Sequence, residues 1–184
     1  MDAEEAGLWR RWRSAAAEPA VDAGLRAIHD EMAQRILQRG PICWTSGRCC
    51  NFDAFGHRLY VTGLEVAWTL NRLGAPGEGA SGLSLPVIST PAVTPDAIDL
   101  RGPCPFQVEK RCTVHAIRPL GCRVFFCQEG TQDWQHAVYE ELQGRLQTLH
   151  DQQSVPYRYM EWRGALRDGL SAVTADRAIP TAAE

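Results

Sequence analysis

Seven cysteines carry the chemistry open to this sequence: Cys43, Cys49, Cys50, Cys104, Cys112, Cys122 and Cys127. They fall into two groups, Cys-x5-Cys-Cys and Cys-x7-Cys-x9-Cys-x4-Cys, with no cysteine between Cys50 and Cys104 and none after Cys127. Gathered thiolates need cations, and the usual ones are zinc and iron. The spacing therefore predicts two ligand-bearing segments, 43–50 and 104–127, that meet around a metal ion or an iron–sulfur cluster. All seven thiols are candidate ligands.

Zinc sites typically use Cys-x2-Cys knuckles, and this chain has none. Wide, irregular spacings suit a cluster better, and seven thiols exceed the four that one zinc takes. The expected cofactor is an iron–sulfur cluster, with zinc as the alternative. Four thiolates around either leave net negative charge, which nearby cations and N–H groups stabilise. Residues 101–127 hold Arg101, Lys110, Arg111, Arg118 and Arg123 against Glu109 alone, in a chain whose net charge is −3. Arg118 and Arg123, which flank Cys122, are the candidate cofactor-binding cations. A solvated basic face is the plainer reading of the same residues. Gly102 and Gly121 stand near cysteines, where a missing side chain lets amides approach sulfur. His115 follows Cys112 by three residues, as a further ligand or as a structural histidine.

Composition narrows the setting. An apolar fraction of 45% with 22% charged residues is ordinary for a globular domain. A net charge of −3 gives no global electrostatic case for nucleic acid, and no apolar run is long enough to span a membrane. The start, Met1 to Trp9, is acidic and reads as no secretory signal. After Arg10-Arg11 comes Ser14-Ala15-Ala16-Ala17-Glu18-Pro19, where an export signal would place its apolar core. The expected compartment is the cytoplasm, where thiols stay reduced. An odd cysteine count also disfavours a disulfide framework.

Elements must position these thiols. Residues 1–20 read as a frayed N-terminal arm, in which Trp9 to Arg13 form a short amphipathic helix that docks on the domain. Val21, Leu25, Ile28, Met32 and Ile36 recur at helical spacing and predict a helix from Asp22 to Arg39, ended by Gly40-Pro41. A tight Thr45-Ser46-Gly47 turn follows. His57 to Thr62 alternates as a strand, and Thr62-Gly63-Leu64-Glu65 has the form of a capping box. The next helix carries Val66, Ala67, Leu70 and Leu73, closed by Gly74. From Gly74 to Pro103, ten of thirty residues are Gly or Pro, so this is a long connection with one candidate strand, Leu85 to Ile88. A short helix from Thr113 to Arg118 is limited by Pro119. A long helix from Gln132 to Asp151 buries Trp134, Val138, Leu142, Leu146 and Leu149, with Thr131 as N-cap. A last amphipathic helix runs from Tyr157 to Val173 and presents Tyr159, Trp162, Leu166 and Leu170, and 175–184 reads as a disordered tail. The whole is a small, single-domain, mainly α fold with irregular cysteine-rich loops and a few short strands, its domain spanning 21–174.

The run Cys43-Trp44-Thr45-Ser46-Gly47-Arg48-Cys49-Cys50, then Cys104-Pro105-Phe106, then Cys112 through Arg118-Pro119-Leu120-Gly121-Cys122-Arg123, resembles the CxxCxxCC family. These are zinc- or iron-chelating proteins, also called YkgJ-type cysteine cluster proteins, and flagellin lysine N-methylase is among them. The resemblance covers residues 43–127 and implies chelation. By position Cys49, Cys50, Cys104, Cys112 and Cys122 match the family best, with Cys43 next and Cys127 last. One departure stands out. Ser46 occupies the place of the family's second cysteine, so that ligand is either dispensable or replaced by Cys127.

Several functions remain open. The first is a cytoplasmic metal protein whose centre is structural or redox-active. The second is a protein lysine N-methylase-like enzyme, implied by the resemblance alone. The chain shows no Gly-x-Gly-x-x-Gly run and no Cys-x3-Cys-x2-Cys pattern. The third is a zinc-stapled binding module for a protein partner, contacted through exposed Tyr157, Tyr159 and Trp162 interleaved with Arg158 and Arg163. A thiol nucleophile, Cys112 with His115 or Cys122 beside Arg123, is the remaining alternative.

Overall fold

The computed structural model describes residues 1–73 and 93–178, without the side chains of 176–178. Its first element is a docked helix, longer than the short one expected around Trp9 to Arg13. Helix α1 spans Ala3–Ala17, opened by the Asp2 carboxylate, which accepts the Glu5 N–H at 2.8 Å. Asp2, Glu4 and Glu5 complement the positive end of the helix. Trp9 and Trp12 are 1% and 0% exposed and meet edge to face at 5.0 Å. The Trp12 indole N–H donates to the Pro156 carbonyl at 2.7 Å. Helix α1 is thus packed on the core through Trp9, Trp12 and Ala16, because two large apolar rings on one helical face outweigh the fraying of a terminus.

Helix α2, Pro19–Arg39, matches expectation closely. Proline suits a helix start, and Gly40 ends it at φ 64°, a conformation glycine adopts without strain. Val21, Leu25, Ile28 and Met32 are buried. Strand β1, Tyr60–Thr62, runs straight into helix α3, Gly63–Arg72. The capping box between Thr62 and Glu65 is present in both directions.

Strands β2, Gln107–Val108, and β3, Arg111–Cys112, form a hairpin that the sequence did not signal. Glu109 and Lys110 turn it at φ 49° and 65°. Tight two-residue hairpins need positive φ at both positions, normally supplied by Gly or Asn, neither of which stands here. The short helix expected over Thr113 to Arg118 is only a 3₁₀ turn, His115–Ile117. Pro119 instead precedes helix α4, Leu120–Val124, since its fixed φ and missing N–H suit a helix start.

Helix α5 spans Gln132–Gln152 and buries Val138, Leu142, Leu146 and Leu149, while Trp134 stays half-buried. Thr131 stands at its N-cap as expected but makes no side-chain cap bond: its backbone is already near-helical, and its hydroxyl donates back to the Gln128 carbonyl. The last predicted helix begins later than expected. Tyr159–Glu161 form strand β4, antiparallel to β1 with Val61 opposite Met160, and α6 runs Trp162–Ala178. The helix therefore passes Val173 into the expected tail, whose residues 179–184 lie outside the described residues. The candidate strand Leu85 to Ile88 and most of the long connection lie outside them too.

The described fold is mainly helical with two small two-stranded sheets. Helix α1 packs on α3, α2 on α5 and α6 on α3, while α4 lies against α2 and α5. No described helix is long and apolar enough to cross a membrane.

Candidate metal centre

Five of the seven cysteines line one cavity of about 20 Å³: Cys49, Cys50, Cys104, Cys112 and Cys122. Phe52, Val114, Arg118, Pro119 and Trp162 complete its wall. The two segments predicted to meet do meet, and backbone bonds hold them. The Cys104 N–H donates to the Cys50 carbonyl at 2.7 Å. Gln107 reaches from the second segment to the Gly47 carbonyl at 2.8 Å. Gly47 sits at φ 74°, and a Cβ there would lie 2.7 Å from Gln107 Nε2 and 2.9 Å from Lys110 Cβ. Only glycine allows both the turn and this close approach.

Each thiol is set by a local device. Cys49 and Cys50 share a 3₁₀ turn and stand 3.7 Å apart, sulfur to sulfur. Cys104 heads a loop closed by Gln107 N–H to Cys104 O at 2.9 Å. Cys112 is carried by β3. Cys122 lies on α4, whose Leu120 N–H is held by the buried Glu65 carboxylate at 2.9 Å.

The sulfurs form one electrostatic unit. Hydrogen bonding to Cys104, Cys112 and Cys49, with burial, drives the Cys50 thiol far upward, so Cys50 keeps its proton. The hydrogen bond from Cys50 brings Cys49 down to about 6, against burial, and Arg118 adds to the shift. A hydrogen bond between Cys112 and Cys50 lowers Cys112, against burial, again helped by Arg118. Burial holds Cys122 well above the usual thiol range, and Cys104 and Cys112 push the same way. Both shifts favour the charged form of Cys49 and Cys112, and the Arg118 guanidinium contributes to each.

The two candidate cations divide. Arg118 lines the cavity. Arg123 does not, and its guanidinium donates to the Arg118 carbonyl at 2.8 Å and to the Ala116 carbonyl. It fixes the backbone that carries Arg118. His115 is exposed and is not among the cavity residues.

The other two cysteines stand apart from the cavity. Cys43 is exposed. Cys127 Sγ lies 3.3 Å from the Ser46 hydroxyl, the side chain in the place of the expected second cysteine. The Ile42 N–H donates to Gln128 at 2.7 Å and joins the same two loops. Among the described residues no three His, Cys, Asp or Glu side chains stand arranged to hold a metal ion as they are. The donor set nevertheless has the right chemistry: five soft sulfur donors converge on one cavity with one guanidinium. The 3.7 Å between Cys49 and Cys50 sulfurs compares with about 3.8 Å for two thiolates on a tetrahedral zinc with 2.3 Å bonds.

Two residues escaped the sequence reading. Trp162 and Arg163, read as exposed contacts for a partner, are 1% and 0% exposed. The Trp162 indole N–H donates to Cys104 Sγ at 3.3 Å. Tyr157 and Tyr159 are exposed as expected. The tryptophan was visible as part of an apolar stripe, but no local signal marks a buried arginine. No protein-family model, no curated protein and no solved structure matches this chain.

Proposed function

We propose that this protein is a cytoplasmic metal-binding protein whose centre is held by Cys49, Cys50, Cys104, Cys112 and Cys122, with Arg118 balancing their charge. One observation carries the proposal: two cysteine segments far apart in sequence deliver five sulfurs to the wall of a single cavity. Free thiols have no packing reason to converge in this way, and the resemblance of residues 43–127 to cysteine cluster proteins points to the same chemistry. Four of the five suffice for either a cluster or a zinc ion.

An iron–sulfur cluster is the first reading, supported by the absence of Cys-x2-Cys knuckles and by the surplus of sulfurs. Bound there, it would supply one-electron transfer. A single zinc is the second reading, supported by a cavity of about 20 Å³, room for roughly one water-sized sphere. Zinc would staple segments 43–50 and 104–127 together. The residues' own part is the same in both cases. Cys49, Cys50, Cys104, Cys112 and Cys122 would supply the sulfurs, Arg118 would balance their charge, and Phe52, Val114 and Trp162 wall the site off from water.

The test is anaerobic purification followed by an ultraviolet–visible spectrum with iron, sulfide and zinc analysis on one sample. A brown protein with matched iron and sulfide establishes the cluster, and a colourless protein with one zinc per chain establishes the staple. A protein that takes up neither metal refutes the proposal.

A further inference from the structure

We infer that the Trp162–Arg163 pair at the start of α6 is the positioning element of this centre, with the Trp162 indole as a hydrogen-bond donor to the Cys104 sulfur and Arg163 as the tie between the two cysteine segments. The inference rests on the metal-centre reading above.

Trp162 lines the cavity and is 1% exposed. A buried indole N–H must find an acceptor, and the acceptor here is Cys104 Sγ at 3.3 Å. A neutral thiol is a weak acceptor, whereas a thiolate carries the charge that strengthens such a bond. The donor is therefore worth more when Cys104 is deprotonated on a metal than when it is a free thiol. Such donors to metal-bound sulfur tune both affinity and electronic structure.

Arg163 acts one residue on. It is 0% exposed and spends its donors on both sides of the site. Its Nη1 donates to Asp53 Oδ2 at 2.8 Å and to the Gly102 carbonyl at 2.7 Å. Its Nε donates to Glu161 Oε1 at 2.9 Å. Asp53 follows Cys50 by three residues, and Gly102 precedes Cys104 by two. The guanidinium also lies over the Phe52 ring, 5.1 Å from its centre, and Phe52 is part of the cavity wall. One planar cation thus fixes the end of the first segment, the start of the second and the wall between them. Lysine, a single point charge on a flexible stem, cannot make this fork.

The experiment uses the full chain, prepared anaerobically without metal and titrated with Co(II), whose thiolate charge-transfer bands report sulfur ligation directly. Trp162→Phe removes the N–H and keeps most of the ring packing. Arg163→Lys keeps the charge and loses the fork. Circular dichroism checks the fold of each variant. The expected result is that Trp162→Phe still binds one Co(II) per chain, shifts the charge-transfer band and weakens binding about 10-fold, while Arg163→Lys weakens it roughly 10–100-fold. If Arg163→Lys fails to fold, the band and affinity of Trp162→Phe decide. An unshifted band and wild-type affinity in Trp162→Phe overturn the inference while leaving the metal centre standing. Wild-type protein that shows no thiolate–cobalt band and, as purified anaerobically, holds neither zinc nor matched iron and sulfide overturns the centre itself.

Discussion

The Glu65 carboxylate joins the starts of two helices: it accepts the Leu120 N–H of α4 at 2.9 Å through one oxygen and the Thr62 N–H before α3 at 2.8 Å through the other. The Thr62 hydroxyl donates to the same carboxylate at 3.1 Å. Glu65 is 3% exposed, and Cys122 stands two residues beyond Leu120. A capping residue of one helix therefore sets the position of a thiol on another.

Glu65→Ala leaves buried backbone donors without partners, each costing about 1–3 kcal/mol. The expected loss is roughly 3 kcal/mol in urea unfolding, with less metal bound. Glu65→Gln retains one acceptor oxygen and should lose about half as much. A Glu65→Ala protein as stable as wild type would show that the Leu120 bond holds nothing.

The cysteines should separate into two sets. Cys104→Ser and Cys122→Ser remove cavity sulfurs and should lower metal affinity beyond the roughly 10–100-fold expected of an outer hydrogen-bond partner. Cys43→Ser and Cys127→Ser should keep near wild-type metal, because neither thiol lines the cavity. Ser46→Ala should also leave metal content unchanged. Metal analysis of anaerobically purified variants checks all of these. Equal losses at Cys127 and Cys104 would contradict the division.

Acid sensitivity should follow from His29. It is 5% exposed, against the Trp68 ring, and burial with the nearby Arg123, Arg118, Arg26 and Arg72 charges lowers its pKa from 6.5 to about 2. The unfolded chain then takes up a proton that the folded chain refuses. Its contribution is undiminished above pH 6.5 and is lost as pH falls from there toward 2, by about 1.4 kcal/mol per pH unit. Between pH 6.5 and roughly pH 4.5, wild type should lose roughly 2–3 kcal/mol more than His29→Leu. Parallel stability curves for the two proteins would rule this out.

Two glycines should respond with opposite sign. A Cβ on Gly63 would lie 2.5 Å from the Trp12 ring, which is 0% exposed and has nowhere to go. Gly63→Ala should cost about 1–3 kcal/mol by overpacking. Gly144, on the exposed face of α5, meets nothing within 4 Å. Gly144→Ala should gain roughly 0.5–1 kcal/mol through backbone entropy. Thermal unfolding of both variants reads the difference.

What the sequence made legible was local. The helical spacing of Val21 to Met32 and of Val138 to Leu149, the Thr62–Glu65 box and the Gly40 stop depend on neighbours within a few residues, and all stand in the structure. What it hid was long-range. Strand β4 looked helical because Tyr159 and Trp162 fit a helical stripe with Leu166 and Leu170, yet pairing with Val61, about a hundred residues earlier, holds this segment extended. Arg163 looked exposed because its partners, Asp53 and Gly102, are supplied only by the fold. The cysteines were legible as a group, but the split between five cavity sulfurs and two outer ones is a tertiary fact.

The most direct test is X-ray absorption at the edge of the metal found in the anaerobically purified protein. The account predicts a first shell of sulfur alone, near about 2.3 Å, that loses sulfur in Cys104→Ser and is unchanged in Cys127→Ser. A shell of nitrogen and oxygen, or one that Cys104→Ser leaves intact, would contradict it.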